Sequence, residues 1–471
     1  MAHDSIDFIS FRRESSGPSE VFGEDGKPFS HYGPVLEEMG RMGPGEWGRR
    51  VNLAHERLLG VQRDLGIPDR EDKTYPTDYV PRLLPAVGWE VLERGLTQRM
   101  LAINEWLRRL ERGKDEVVPA EILESSVLFD GSAPTRFGAV PNRQMGFDVV
   151  AVESGEAGGW EYLIIEDNAK MPVGIEPMHL LRARTAEVLP ESYAALGVRP
   201  LDDLMGRFGE VLRAASPKSD PTIAVLSTGY EDQYYLDHNL FAREHGAILA
   251  GRREVELDRG GFLVHKESGR RIDVIYERIE DGRIYDDLPG LIESQAAGKV
   301  EAVFAPNLGI ADDKGVYPFV PEMIRTYLGE EPILQNLRTY SLAVEKERDY
   351  VMDHFDELVV KSRSGWGGKG VLIAPEESEE AIREFRAGVE ENPVEFVAQD
   401  PIDFSTHVLC ETSEEGFVVR DSYADLRVHA LAPDPETVWV IPGAMTRVAA
   451  PGSRLVNVSS GGRTKDTWVL G

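Results

Sequence analysis

The sequence predicts an α/β protein, in an α+β arrangement with a helical N-terminal region, and three observations carry that prediction. Between Pro221 and Ala305 the short apolar runs Thr222–Leu226, Ile248–Ala250, Ile272–Arg278 and Ala302–Ala305 alternate with helical spacing. That is the pattern of a partly parallel, Rossmann-like sheet. Phe147–Val152 and Trp160–Ile165 flank the turn Glu156-Ala157-Gly158-Gly159 and read as an antiparallel strand pair. Around Leu358 a β-branched run ends in Lys361, passes a loop with four glycines, and returns as Val371-Leu372-Ile373, a hairpin with a glycine-rich tip.

Charge and composition narrow the functional classes. Lys and Arg number 52 against 82 Asp and Glu, so the formal charge of −30 would be repelled by nucleic acid and by anionic membrane surfaces. A binder of phosphates must therefore build a local positive patch against the field of the whole chain. With 471 residues, 41% of them hydrophobic, a sizeable core is available, spread over about two to four domains or one elaborate enzyme. Cys410 is the sole cysteine, which excludes a disulfide framework and a cysteine-type zinc site. No His/Asn pattern supports it as a nucleophile, and a small buried residue is the expectation. The start Met1–Ser5 is polar, without a signal-peptide core, and no run approaches the ~18 apolar residues of a membrane span. A cytoplasmic globular protein is expected, with no nucleic-acid or membrane partner; the oligomeric state is not encoded legibly.

Residues 1–30, rich in Gly, Pro, Ser and charge, are expected to form a flexible tail. Residues 31–120 form a helical region, with one pattern on either side of Pro44-Gly45 and a long amphipathic helix from about Trp89 to Leu110. Its charged residues are expected to form a solvated face. Residues 121–215 hold the strand pair, 216–305 the Rossmann-like unit, and 306–471 the glycine-rich hairpin and a β-rich end with strands at Gly416–Arg420, Tyr423–Leu431, Val438–Ile441 and Leu455–Val458.

Two segments carry candidate chemistry. The hairpin tip, between Lys361 and Lys369, can lay backbone N–H groups against an anion, although a glycine-rich surface turn looks the same in isolation. It is not a Walker loop, since no Gly-Lys-Ser/Thr stands at the required spacing. The strand ending Ile165-Glu166-Asp167-Asn168 alternates faces, so Glu166 and Asn168 share one face and Asp167 takes the other. Paired antiparallel, Asp148 joins Glu166 and Asn168, giving the hard oxygen ligands that suit magnesium; acidic residues at a strand end are the plainer alternative. Arg278 ends a strand of the Rossmann-like unit, and on spacing alone it reads as a surface arginine pairing with Glu280 or Asp281.

Together these residues resemble the circularly permuted branch of the ATP-grasp superfamily. The hairpin Val359–Val371 is similar to its phosphate-covering loop, and Asp148…Glu166-Asp167-Asn168…Pro172…Gly174 to its magnesium motif. The motif precedes the loop here, an inversion that circular permutation explains when the old termini lie close together. Asp313-Lys314, Asp425-Leu426-Arg427, Thr446-Arg447-Val448 and Ser459-Ser460-Gly461-Gly462…Lys465 extend the resemblance over roughly residues 85–471. His429 departs from the aromatic residue often found there, and Arg463 interrupts a run of small residues.

The resemblance implies an ATP-grasp fold in permuted order, with ATP and Mg2+ as cofactors. It implies ATP contacts by Lys314, Lys361, Ser364, Gly365, Gly367, Gly368, Lys369 and Gly370, and base or ribose contacts by Gln399, Asp400 and Ile402. Asp148, Glu166 and Asn168 would hold the metal. Arg427 and Arg447 would be spare cations that, with Lys361, serve catalysis, and Arg278, Ser459, Ser460, Gly461 and Lys465 would touch substrate. The implied reaction is a carboxylate–amine ligation through an acyl phosphate, its partners being a small-molecule carboxylate and an amine. A small-molecule phosphotransferase or a non-catalytic nucleotide-binding scaffold would use the same pocket.

Overall fold

The computed structural model describes residues 9–13, 15–67, 76–131, 136–155, 159–279, 284–365, 370–413, 416–456 and 461–471. The first long element is a helix, α1 (Gly33–Asp64), kinked where Gly43 takes φ 70° ahead of Pro44. Helix α2 (Ala86–Glu111) buries Trp89, Leu92, Leu96, Ile103 and Leu107 along one stripe. Strands β1 (Gln144–Glu153) and β2 (Trp160–Asn168) form the expected antiparallel pair, and α3 (Ile175–Val188) follows. Then come β3 (Ile223–Ser227), α4 (Tyr235–His245), β4 (Ile248–Ala250) and β5 (Val274–Arg278). The hairpin is β6 (Val359–Ser362) and β7 (Val371–Ile373), and β8 (Phe396–Gln399) pairs with β6. Last are β9 (Gly416–Leu431), β10 (Trp439–Val448) and β11 (Arg463–Val469).

The strands make three principal sheets. β2-β1-β9-β10-β11 run through a nine-stranded sheet. β3, β4 and β5 lie in a parallel four-stranded sheet, with β3 between β4 and β5. β6, β7 and β8 belong to an antiparallel four-stranded sheet. The large sheet joins strands from both ends of the chain, with β1 hydrogen-bonded to β9 across nearly 280 residues, which places the two separated motifs side by side.

Several expectations change. The two strands expected over 416–431 are one, bent by a register shift between Val428 and Ala430. Leu455 and Val456 are loop, and the last strand starts instead at Arg463. Residues 15–30 are no loose tail: Val21 and Phe22 are buried in the core, and Glu20 pairs with the buried Arg82. Residues 9–12 add a parallel strand alongside β9.

The largest correction concerns Arg99 and Asp167. Arg99 lies on the buried stripe of α2, and its Nε and Nη2 donate to both oxygens of Asp167, each at 2.6 Å. Both side chains are almost fully enclosed. Asp167 thus does face away from Glu166, but into the core, where removing one member of an ion pair strands the other charge. We expect Asp167→Asn to lower stability by about 3 kcal/mol, read as a lower urea midpoint at unchanged slope; a shift below 0.5 kcal/mol, estimated on the scale of ordinary surface substitutions, would contradict the pairing.

Candidate active site

A cleft of about 230 Å3 separates the large sheet from the hairpin sheet. Its floor is set by strand register. Asp148 of β1 pairs with Glu166 of β2 on one side and with Arg427 of β9 on the other, and Asp425 of β9 pairs with Arg447 of β10. Residues opposite one another share a face, so these side chains converge. A bulge beside Asp148, where Ile165 is left without a partner, keeps Glu166 and Asn168 on that face while the rest of the pair continues in register. Lys314, Lys361, Gln399, Asp400 and Ile402 line the same cleft.

Arg427 and Arg447 are not spare cations. Arg427 holds Asp148 bidentately, with Nη2 to Oδ2 at 2.8 Å. Arg447 reaches the same Oδ2 at 2.8 Å and donates through Nε to Asp425 at 2.9 Å. Burial would raise the Asp148 carboxyl, but the two arginines outweigh it and hold it well below the usual carboxylate range. Burial raises Asp425, opposed by Arg447. Two acids and two arginines thus neutralise one another on the floor, and above them Lys314 and Lys361 stand against Glu166 and Asp400.

Lys314 donates to Glu166 at 3.0 Å and to the Gly365 carbonyl at 2.6 Å, joining the floor to the glycine loop. Burial pushes the Lys361 ammonium down to about 8; Glu166 favours its charge and Lys314 opposes it. The base of the loop is pinned by Arg363, which pairs with Asp313 at 2.8 Å through both Nε and Nη2. Gly370 closes the hairpin at φ 73°, its carbonyl accepting the Ser362 N–H at 2.9 Å. Ser364 and Gly365 lie at the loop's start, whereas Gly367, Gly368 and Lys369 fall outside the described residues, as do Ser459 and Ser460.

The far wall is apolar, with Val150, Ile165, Leu337 and Val359. There Gln399 donates to Thr339 Oγ1 at 2.9 Å while its Oε1 is buried with no partner. A buried acceptor left open is costly unless a ligand supplies a donor. The exocyclic amine of adenine is such a donor.

The donor set can be tested for magnesium. Among the described residues no three His, Cys, Asp or Glu side chains form a ready-made cage. Glu166 and Asn168 both line the cleft, where the carboxylate oxygens of the one and the amide Oδ1 of the other are the atoms able to ligate a hard cation. One or two carboxylates completed by phosphate oxygens are what this ion takes. Glu166 and Asn168 fit it; Asp148 fits only if its arginines give up a contact.

Other expected substrate contacts lie elsewhere. Lys465 is wholly enclosed, pairing with Asp78 and donating to the Val80 carbonyl at 3.0 Å, so it braces the sheet. Arg278 is buried rather than on the surface, its Nη1 holding the Pro172 carbonyl at 3.1 Å; Glu280 and Asp281 are outside the described residues. Gly461 sits exposed at φ 88° before β11. Cys410 is half-buried outside the cleft, and burial together with Asp78 pushes its thiol up, away from reactivity.

Four participants were given no role from the sequence: Asp425, noted only within a motif, and Arg363, Asp312 and Arg454. Asp312 accepts the backbone N–H groups of Ala169 and Lys170, fixing the turn after Asn168. Arg454 ties the loop before β11 to Glu376 at 2.9 Å and Asp403 at 2.6 Å. Asp425 was visible as the i−2 neighbour of Arg427 on a strand; the other three depend on long-range packing.

The fold and cleft define an architecture, a hairpin sheet facing a large mixed sheet across a cleft lined by lysines, arginines and acids. The profile described as "Circularly permuted ATP-grasp type 2" matches residues 81–449, and the chain belongs to that family, whose members use ATP. It is 32% identical to an uncharacterised protein of Synechocystis over 96% of both chains. A Frankia casuarinae protein provisionally named glutamate–cysteine ligase 2-2 is 32% identical over 97% of this chain, which spans 54% of that protein's length. In fold, the chain is similar to a glutathione synthetase-like effector from Globodera pallida, solved in apo form, with a TM-score of 0.57 at 9% identity, covering 88% of this chain and 97% of that one. No helix among the described residues is long and apolar enough to cross a membrane.

Lys361 gives a pH test. Phosphates favour its charged form, so ATP binding should raise its pKa above 8 and take up a proton. Affinity should be flat below about pH 7 and fall by up to tenfold per pH unit above about 8. Calorimetry in two buffers of different ionisation enthalpy should show that uptake near pH 8 and its loss in Lys361→Gln; equal heats for the native protein would contradict the assignment.

Proposed function

We propose that this protein is an ATP- and Mg2+-dependent carboxylate–amine ligase, joining an amino acid carboxylate to an amino acid or amine and releasing ADP and phosphate. The observation that supports it best is the row Glu166–Asp148–Arg427 facing Lys314 and Lys361 across one cleft. Phosphoryl transfer asks for positioning and neutralised charge more than for a covalent nucleophile, and no thiol or serine nucleophile is needed in this set.

In this reading Gln399 and the apolar wall hold the base, while Lys314 and Lys361 neutralise phosphate oxygens. Glu166 and Asn168 would hold magnesium, which when bound supplies Lewis-acid neutralisation of the β- and γ-phosphates. Arg427 is locked bidentately on Asp148 and Arg447 bidentately on Asp425 while also reaching Asp148, oriented so that an arriving carboxylate can share their N–H groups. The described part of the hairpin, with Val359, Lys361, Ser362, Gly365 and Val371 on the cleft and Arg363 pinning the loop's base, helps to exclude water from the acyl phosphate. Amine attack then expels phosphate and forms the amide. The Frankia relative's name makes a γ-glutamyl-type product a reasonable first choice to assay.

ADP release should require a carboxylate and be poor with an amine alone, and hydroxylamine should trap the intermediate as a hydroxamate. Glu166→Gln should lower turnover by at least about a hundredfold, in the range of lost electrostatic stabilisation, while nucleotide affinity falls far less. A phosphorylated small molecule released with ADP would favour a phosphotransferase; AMP and pyrophosphate would favour adenylation; no turnover with any panel would favour a scaffold.

A further inference from the structure

A second cavity, of about 580 Å3, lies at the carboxyl ends of β3, β4 and β5 and shares no lining residue with the nucleotide cleft. Its size is that of a small-molecule site. The connection leaving β3 runs to β4 on one side, while β5 lies on the other. Ligands of parallel sheets sit outside the strand ends where connections diverge in this way.

Charge identifies the kind of ligand. Arg253 is exposed at the rim and has no ion-pair partner among the described residues, and its carbonyl accepts the Lys266 ammonium at 2.7 Å. Arg252 is offset by Asp287 at 2.7 Å. On the acidic side, Glu254 uses Oε2 to accept the Gly251 N–H at 2.7 Å. Asp232 accepts Thr228 Oγ1 at 2.7 Å and the Tyr234 N–H at 2.8 Å, so a carboxylate already occupies the approach to α4. Among the described residues the lining carries Arg252, Arg253 and Glu254, with Asp232, Asp287 and Lys266 bonded to lining residues beside it, so both signs of charge face the opening. A polyphosphate would meet those acids, whereas a molecule carrying one charge of each sign would not. Between them lie Leu249, Ala250 and Ile279, an apolar floor for a modest side chain. Hydrogen bonds brace the wall: Ser227 Oγ bonds His238 Nδ1 at 2.8 Å and accepts the Gly229 N–H at 3.1 Å.

We propose that this cavity binds a free α-amino acid, its carboxylate on Arg253 and its ammonium on Glu254. The assignment does not depend on the ligase reaction. Ser227 pairs in register with Arg278, whose guanidinium holds the turn at Pro172, so an occupant would rest behind the metal-motif turn.

The test is calorimetry on the full chain without nucleotide, using free L-amino acids one at a time and then their N-acetyl and carboxamide forms. At least one free amino acid should bind, and both blocked forms should bind at least tenfold more weakly. Arg253→Ala, at an exposed position, should weaken binding at least tenfold, whereas Lys361→Ala in the nucleotide cleft should leave it unchanged. Absence of binding by every free amino acid, survival of binding in Arg253→Ala, or its loss in Lys361→Ala would overturn the proposal. Because ATP is absent, a failed ligase assay and a failed binding assay remain separate results.

Discussion

Three consecutive polar residues at the end of a buried strand cannot all face the same way. Glu166 and Asn168 point into the cleft, so the alternation of β2 drives Asp167 into the core. An isolated buried carboxylate would be prohibitive, and Arg99 from α2 answers it with two 2.6 Å hydrogen bonds. Helix α2 is therefore tied to the strand bearing Glu166 and Asn168 by charge as well as by packing. Arg99 also donates to Asn336 at 2.7 Å, beside the strand at Gln335–Asn336 that borders β2. Precise placement of Glu166 follows from this clamp on its neighbour.

The cleft solves a related problem. A chain of charge −30 must hold phosphates, and simple accumulation of cations would leave them repelling one another when the site is empty. On the floor each arginine instead has a carboxylate: Arg427 on Asp148, and Arg447 shared between Asp148 and Asp425. Opposite charges at successive strand positions keep the side chains ordered and the backbone register fixed. Lys314 is likewise offset by Glu166, while Lys361, pushed down by burial to about 8, can change its proton occupancy when phosphates arrive.

Much of this was legible in the sequence because it is local. The glycine-rich hairpin, the strand pair and the shared face of Asp148, Glu166 and Asn168 follow from a period of two and from turn chemistry. Arg99 was legible in principle, since it falls three residues after Leu96 and four before Ile103 on a buried helical stripe. It was misread because charged helix positions usually face solvent. Lys465 could not be read correctly: its partner Asp78 is 387 residues away, and the Asp78 N–H bonded to the Thr464 carbonyl, with β11 paired to the strand at Arg82–Leu84, brings them together. The engagement of Arg427 by Asp148 likewise needs β1 beside β9, an adjacency that inverted motif order conceals.

The central claim is that this cleft transfers the γ-phosphoryl group of ATP to a carboxylate. The most direct measurement uses a productive substrate labelled with 18O in its carboxyl group. Acyl-phosphate chemistry predicts one 18O carried into the released inorganic phosphate per turnover, because the carboxyl oxygen that attacks phosphorus leaves with it. Unlabelled phosphate, or 18O appearing in AMP, would contradict the account.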